Sequence, residues 1–241
     1  MTRIFRLFGN IVRSLFILPD WFRFRRGSDS RFPLRLIDCL PRFGDKTAAT
    51  DFDLHYIYHP AWAARILATT RPAGHVDFSS TLSFSTIVSA FLPVRFYDFR
   101  PAAIELSGLK SAQADLTKLS FASDSLPSVS CLHTIEHIGL GRYGDPLDPQ
   151  GDLKALLELQ RVTAPGGDLL IAVPIGHPRL RFNAHRIYSY DQLISALPEM
   201  TLQEFSLISE QERRLIPQAD PRLADRESYG CGCFWFKKKI V

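Results

Sequence analysis

The chain has 241 residues, is 46% hydrophobic and carries a formal net charge of +4. That composition suits one large α/β domain, or one domain with an appendage, and excludes a disordered or collagen-like chain. No run of 18 apolar residues occurs, so no transmembrane helix is expected, and the N-terminus lacks a clear signal-peptide cleavage site.

The positive charge is concentrated at one end. Residues 1–36 hold eight arginines against Asp20 and Asp29, which leaves the remainder slightly acidic. Ile4, Leu7, Phe8, Ile11, Leu15 and Leu18 recur at helical spacing between Arg3, Arg6 and Arg13, predicting an amphipathic basic helix over 3–18. Two readings stay open. The helix packs on the protein's own body, or residues 3–26, with Trp21, Phe22 and Phe24 among arginines, lie peripherally on an anionic membrane surface such as the inner membrane. No nucleic-acid-reading module is present, and no nucleic acid is expected as a partner.

Residues 27–54 read as an extended lead-in broken by Pro33, Pro41 and Gly44, and 60–69 as a helix with Pro60 in its first turn. Between them, Asp51-x-Asp53-x-His55-Tyr-x-Tyr58-His59 reads as a solvated loop, with a metal-like cluster as its alternative. The expected division is a basic helical extension over 1–72 and an α/β domain over 73–241.

From residue 75 strands and helices alternate. Strands are predicted at His75–Phe78, at Val94–Asp98, at a short segment ending near Asp115, at Ser128–Leu132 and at Asp168–Val173. Helices are predicted over Leu82–Leu92, in short form over Pro101–Leu106, after Asp148-Pro149 as far as Ala164-Pro-Gly-Gly167, and over 190–197. Thr201–Ile208 and Gly232–Lys238 read as a closing antiparallel hairpin joined by a charged loop over 209–230. Alternation implies a doubly wound, mostly parallel sheet covered on both faces. Cys39, Cys131, Cys231 and Cys233 read as reduced thiols of a cytoplasmic protein.

Chemistry-bearing residues gather after the fourth strand, in His133-Thr-Ile-Glu136-His137-Ile-Gly-Leu-Gly-Arg142-Tyr143-Gly-Asp145. The carboxyl ends of strands are where open α/β sheets bind ligands. His133-x-x-Glu136-His137 matches the pattern of inverted zinc peptidases, but that motif needs a helix and Gly139 and Gly141 oppose one. No metal is therefore expected.

The order of strands ending in Asp98 and Asp115, followed by the histidine stretch and Leu159-Gln-Arg-Val-Thr-Ala-Pro-Gly-Gly-Asp-Leu-Leu-Ile-Ala-Val-Pro174, resembles a class I S-adenosylmethionine-dependent methyltransferase. More narrowly, Glu136–Asp145, Phe182-Asn-Ala-His-Arg-Ile-Tyr188 and Tyr229-Gly-Cys-Gly-Cys233 resemble a bacterial domain-of-unknown-function family, number 268, often found with polysaccharide gene clusters. The resemblance spans roughly residues 20–238.

It implies a Rossmann-like, seven-stranded methyltransferase fold with S-adenosyl-L-methionine as cofactor. Methyl would pass to an oxygen or nitrogen of a small molecule or glycan precursor. The cofactor contacts would be Asp77, Ser79, Ser80, Asp98, Asp115 and Leu116. Asp98, 21 residues after Asp77, would take the ribose hydroxyls and Asp115 the adenine amino group. His133, His137 or His185 would act as base with Glu136 orienting it. Arg142, Tyr143, Asn183 and Arg186 would meet the acceptor. The alternatives are turn or cap roles for the aspartates, and a salt-bridge network of Glu136, Arg142 and Asp145 that holds the glycine-rich loop. One departure stands out: Phe78-Ser79-Ser80-Thr81 has no glycine where the wider family has one. It opens a second reading, a non-catalytic binding or scaffold protein with a degenerate cofactor loop.

Overall fold

A computed structural model describes residues 17–27, 31–42 and 45–240. Most of the predicted 3–18 helix lies outside these residues, as does most of the proposed membrane contact. The chain divides into two compact units, Met1–Asp51 and Phe52–Val241. Within the first, 17–27 is helical, with Trp21 edge-on to Phe22 and the Arg25 guanidinium 5.2 Å from the Trp21 ring centre. A single 3₁₀ turn, Leu36–Asp38, interrupts the extended lead-in.

The second unit begins with α1 (Leu54–Thr70), which starts six residues earlier than the sequence reading places it. Asp53 accepts a hydrogen bond from Tyr56 N and caps it. His55 and His59 stand four residues apart and, with Trp62, Ala63 and Ile66, form the buried face. The stretch read as a solvated loop is therefore the first turns of a core helix. This also moves α1 from the expected N-terminal segment into the α/β unit.

The strands are β1 (His75–Phe78), β2 (Val94–Asp98), β3 (Leu109–Gln113), β4 (Leu126–Leu132), β5 (Thr163–Ile175), β6 (Arg179–Arg181), β7 (His185–Ile187), β8 (Met200–Ser209), β9 (Arg214–Ile216) and β10 (Gly230–Lys238). Between them lie α2 (Leu82–Val88), α3 (Gly151–Val162), α4 (Tyr190–Ser195) and α5 (Pro221–Ala224). The main sheet runs β3-β2-β1-β4-β5-β10-β8-β9, while β6 and β7 form a separate ribbon. The first five strands are parallel, and β10, β8 and β9 close the sheet antiparallel. The doubly wound sheet with an antiparallel end is as the alternation predicts, but it has eight strands where seven are expected, because β9 pairs with the free side of β8.

Apolar residues on both faces explain the topology. Leu169, Ile171 and Val173 of β5 pack with Ala155, Leu156 and Leu159 of α3. Leu170 and Ala172 face the cluster formed by Leu54, Trp62, Ile66 and Leu67 of α1 with Phe84 and Val88 of α2. A strand buried on both sides needs an unbroken apolar run, and β5 has one.

Several local expectations fail. Residues 101–106 form no helix; Leu106 instead bridges Leu109. Asp148 is not the cap of α3: its side chain accepts from Gln150 N just ahead of the helix and from Lys154 Nζ in its first turn. The charged 209–230 segment contains β9 and α5, since Arg214–Ile216 extend the sheet beyond β8. β10 is not an edge strand, because β5 and β8 flank it. Its glycines do serve close approach. A Cβ on Gly232 would lie 2.8 Å from Phe234 Cε2 and 2.9 Å from Ile175 Cδ1, both on side chains fixed in the core.

Gly232→Ala is accordingly expected to destabilise the protein by about 1–3 kcal/mol through overpacking. Urea denaturation against the unsubstituted chain measures it, and equal midpoints would refute the packing account.

Candidate active site

In a sheet ordered 3-2-1-4-5 the chain reverses direction between β1 and β4, which opens a crevice above their carboxyl ends. A cavity occupies this position. Ser79, Ser80 and Thr81 after β1, Asp98 to Arg100 after β2, and Ala114 to Thr117 after β3 form one side. Leu132, His133, Thr134, His137 and Gly139 after β4, with Tyr143, Asp145 and Tyr56 of α1, form the other.

The turn after β1 solves the problem its sequence poses. Ser79 takes φ 57°, the left-handed conformation that glycine adopts without cost. Its amide donates to Tyr97 O at 2.8 Å, and its hydroxyl lies 3.3 Å from the same carbonyl. Its own carbonyl accepts from Thr134 Oγ1 at 2.7 Å, tying the β1 and β4 loops together. The turn forms without glycine because these bonds hold a strained serine.

Asp77 does not reach the cavity. It is fully buried, and its carboxylate accepts from Ser80 Oγ (2.5 Å), Ser130 Oγ (2.5 Å) and Ser85 Oγ (2.6 Å). Burial raises its pKa to about 6 despite these bonds. Ser80 lines the cavity, but its hydroxyl is spent on Asp77 and on accepting from Leu132 N. Asp98, Asp115 and Leu116 all line the cavity. Asp98 Oδ1 accepts from Arg100 N at 2.7 Å. Asp115 Oδ1 accepts from the Thr117 amide and hydroxyl. One oxygen of each aspartate thus has the turn role anticipated as an alternative.

On the opposite wall, His133-x-x-Glu136-His137 makes a single 3₁₀ turn, Ile135–His137, not an α-helix. Glu136 is fully buried, with Oε1 2.5 Å from His133 Nδ1 and 3.7 Å from His137 Nε2. Among the described residues neither carboxylate oxygen receives a well-aligned hydrogen bond, so its contact with His133 is a close ion pair. Burial opposes charge on both His133 and Glu136. Burial is the largest single influence on each, but their mutual attraction together with Cys231 beside His133 and His137 beside Glu136 outweighs it, pushing His133 up to about 10 and holding Glu136 below its ordinary value. His137 goes the other way: burial, more than Glu136 offsets, lowers its pKa. Its Nδ1–H donates to Ala184 O at 2.6 Å, which fixes the tautomer and leaves Nε2 as the basic nitrogen.

The remaining candidates separate. His185 stands beside the cavity lining, its ring 6.5 Å from that of His137 and 5.0 Å from that of Tyr229. Tyr143 lines the cavity between the Arg100 and Arg142 guanidinium groups. Arg142 Nη1 donates to Ala184 O and sits against His137. Asp145 binds the amides of Gly139, Gly141 and Tyr143, so the glycine-rich loop is held by a carboxylate on backbone and not by a Glu136–Arg142–Asp145 network. Arg186 is occupied elsewhere, donating to Ile138 O and Pro149 O and pairing with Asp152. Asn183 is exposed and off the cavity wall. Tyr56 was missed. The spacing of Asp53, His55, His59 and Trp62 is the signal that would have placed it on a capped helix.

A family described as "Caenorhabditis protein of unknown function, DUF268" matches residues 110–215. That description gives no support to the bacterial and polysaccharide associations drawn from the sequence. No curated protein sequence matches the chain. Among solved structures, YcgJ of Bacillus subtilis superposes with a TM-score of 0.52 at 14% identity, covering 75% of this chain and 100% of its own. The [4+2]-cyclase SpnF does so with a TM-score of 0.52 at 13% identity, covering 76% and 81%. The N-methyltransferase NodS of Bradyrhizobium japonicum, in complex with S-adenosylhomocysteine, gives 0.50 at 13%, covering 77% and 88%. The chain has the Rossmann-like fold of the class I methyltransferases. At these identities the likeness establishes the fold alone.

Relief of the strained turn gives a direct check. Ser79→Gly is expected to stabilise the protein by about 1 kcal/mol, because the left-handed penalty it removes exceeds the chain entropy it adds. Thermal denaturation reads the shift, and a lower melting temperature would show that the serine's bonds matter more than its strain.

Proposed function

We propose that this protein transfers a methyl group from S-adenosyl-L-methionine to an oxygen or nitrogen of a small molecule or glycan precursor. The observation that carries the reading is one cavity with two unlike walls. Carboxylates stand at the end of β2 and two residues past β3 on one side, and a histidine whose pKa burial lowers stands past β4 on the other, its Nε2 unprotonated and 3.5 Å from Arg142 Nη1. The residues fit a nucleoside. Asp98 keeps Oδ2 for a ribose hydroxyl, Leu116 and Ala114 offer an apolar surface for a base, and the serine turn brings backbone to the cavity as glycine would. The similar fold of NodS, solved in complex with S-adenosylhomocysteine, supports the choice of cofactor.

When bound, S-adenosyl-L-methionine supplies an electrophilic methyl group. The chain's own residues supply the rest. His137 Nε2 accepts the acceptor's proton, and Ala184 O holds its ring in the required tautomer. Glu136, 3.7 Å from Nε2, favours the imidazolium that results. Tyr143 and Arg142 border the acceptor side.

Calorimetric titration with S-adenosylhomocysteine is expected to show binding, and Asp98→Ala to weaken it about tenfold or more, the worth of a charge-assisted hydrogen bond. Absence of heat at millimolar ligand would overturn the cofactor assignment.

With an acceptor in hand, His137→Ala is expected to lower kcat by about 10²–10⁴. Because burial lowers the His137 pKa, turnover should rise with pH through a value below 6.5 and then stay level. A rate still climbing through pH 8 would remove His137 as the base.

A further inference from the structure

The histidine stretch after β4 touches a second group of residues that methyl transfer does not use. His55 of α1, His133 and Cys231 of β10 each place one donor atom so that all three lie within 4.8 Å of one another. All three are buried, with Cys231 fully so. We propose that they bind a divalent transition-metal ion of the zinc type, beside the cavity that His133 lines.

Donor geometry supports this. His133 Nδ1 is engaged by Glu136, so its Nε2 meets His55 Nδ1, at 3.0 Å. The Cys231 thiol also packs against His133. One imidazole nitrogen carries one proton or one lone pair and cannot satisfy two neighbours with directed hydrogen bonds. A cation takes a lone pair from each of the three. Tetrahedral zinc bonds of roughly 2.0–2.3 Å set donors about 3.3–3.7 Å apart, so the two imidazole nitrogens at 3.0 Å would part slightly and the thiol would draw in from no more than 4.8 Å. Two imidazoles and a thiolate are a donor set that suits zinc.

The surroundings are those of a ligated site. Glu136 on the far nitrogen of His133 forms the carboxylate–histidine pair that orients a metal-bound imidazole. The fully buried carboxylate lacks aligned hydrogen bonds, and a nearby cation would offset its charge. His59, one turn beyond His55 on the same helix face, is completely buried, and neither ring nitrogen has a partner among the described residues. Its ring centre lies 5.3 Å from that of His133, placing a further donor next to the set. Binding would release the Cys231 proton and any proton on His133 Nε2. The alternative is a metal-free imidazolium–carboxylate pair at His133 and Glu136, hydrogen-bonded to His55.

Metal analysis of the full chain, purified without chelator, decides between them and assumes nothing about methyl transfer. Close to one zinc per chain is expected. After exchange, cobalt should give the intense visible bands of a tetrahedral site and a thiolate-to-cobalt charge-transfer band. Cys231→Ser should abolish the charge-transfer band. His55→Ala and Glu136→Gln should weaken cobalt binding about tenfold or more. Cys39→Ser, a free thiol outside the set, should change neither. Circular dichroism checks that each variant folds, and the charge-transfer band of the unsubstituted chain reports sulfur ligation even if Cys231→Ser does not. Less than about a tenth of an ion per chain, with no cobalt spectrum from folded protein, would overturn the site in favour of the imidazolium pair. Binding of S-adenosylhomocysteine is read separately, so loss of either assignment leaves the other standing.

Discussion

The crevice depends on a charge that never reaches it. Asp77 carries its carboxylate into the middle of the sheet, where hydroxyls from the β1 loop, α2 and β4 converge on it. Ser130, which donates to Asp77, also meets His75 Nε2, and His75 Nδ1 meets Ser128, so the network links β1 to β4 along their length. Burial holds His75 neutral, with a pKa lowered to about 3, as a chain of single-proton links requires. A buried carboxylate is expensive unless both its oxygens are hydrogen-bonded. Three hydroxyls whose positions are fixed by three elements meet that condition only when β1, β4 and α2 sit in one arrangement. The switch point is thus specified by polar matching as well as by apolar packing.

Glu136 presents the same problem with a different solution. It too is fully buried, but no serine serves it, and its stabilisation comes from His133 and His137. A hydroxyl cage is neutral and insensitive to what lies nearby. An imidazole cage changes charge when a neighbour does. The structure therefore places its fixed carboxylate within the sheet, where shape is needed, and its responsive one behind the histidines of the cavity wall.

The strands were readable from sequence because their signal is local. β1 and β2 match the predicted limits residue for residue, and the unbroken apolar run of β5 announces burial on both faces. The site was less readable because its donors come from distant segments. Asp98, Asp115, Leu116, His133, His137 and Tyr143 share one cavity, as their positions after successive strands imply. Asp77 and Arg186 do not take part, since the residues that occupy them, Ser85, Ser130 and Ile138, are joined only by the fold. His55 was lost for a similar reason. Its flanking aspartates and tyrosines give a polar composition, and only the cap at Asp53 with the four-residue step to His59 betrays a buried helical face.

The serine turn shows how a missing glycine is compensated. A left-handed residue with a side chain costs on the order of 1–2 kcal/mol, and nothing local at Ser79 recovers that. The recovery is tertiary: Tyr97 O holds the amide from β2, and Thr134 holds the carbonyl from the β4 loop. His133, also left-handed at φ 59°, is pinned in turn by Ala172 O of β5. The two strained residues sit on opposite walls of the same cavity, joined through Thr134. Strain that persists because its surroundings over-determine it belongs where a side chain must be aimed. Here it turns Ser79 toward β2 and carries His133 from the sheet toward α1, which gives one cavity a wall for a nucleoside and a wall of imidazoles.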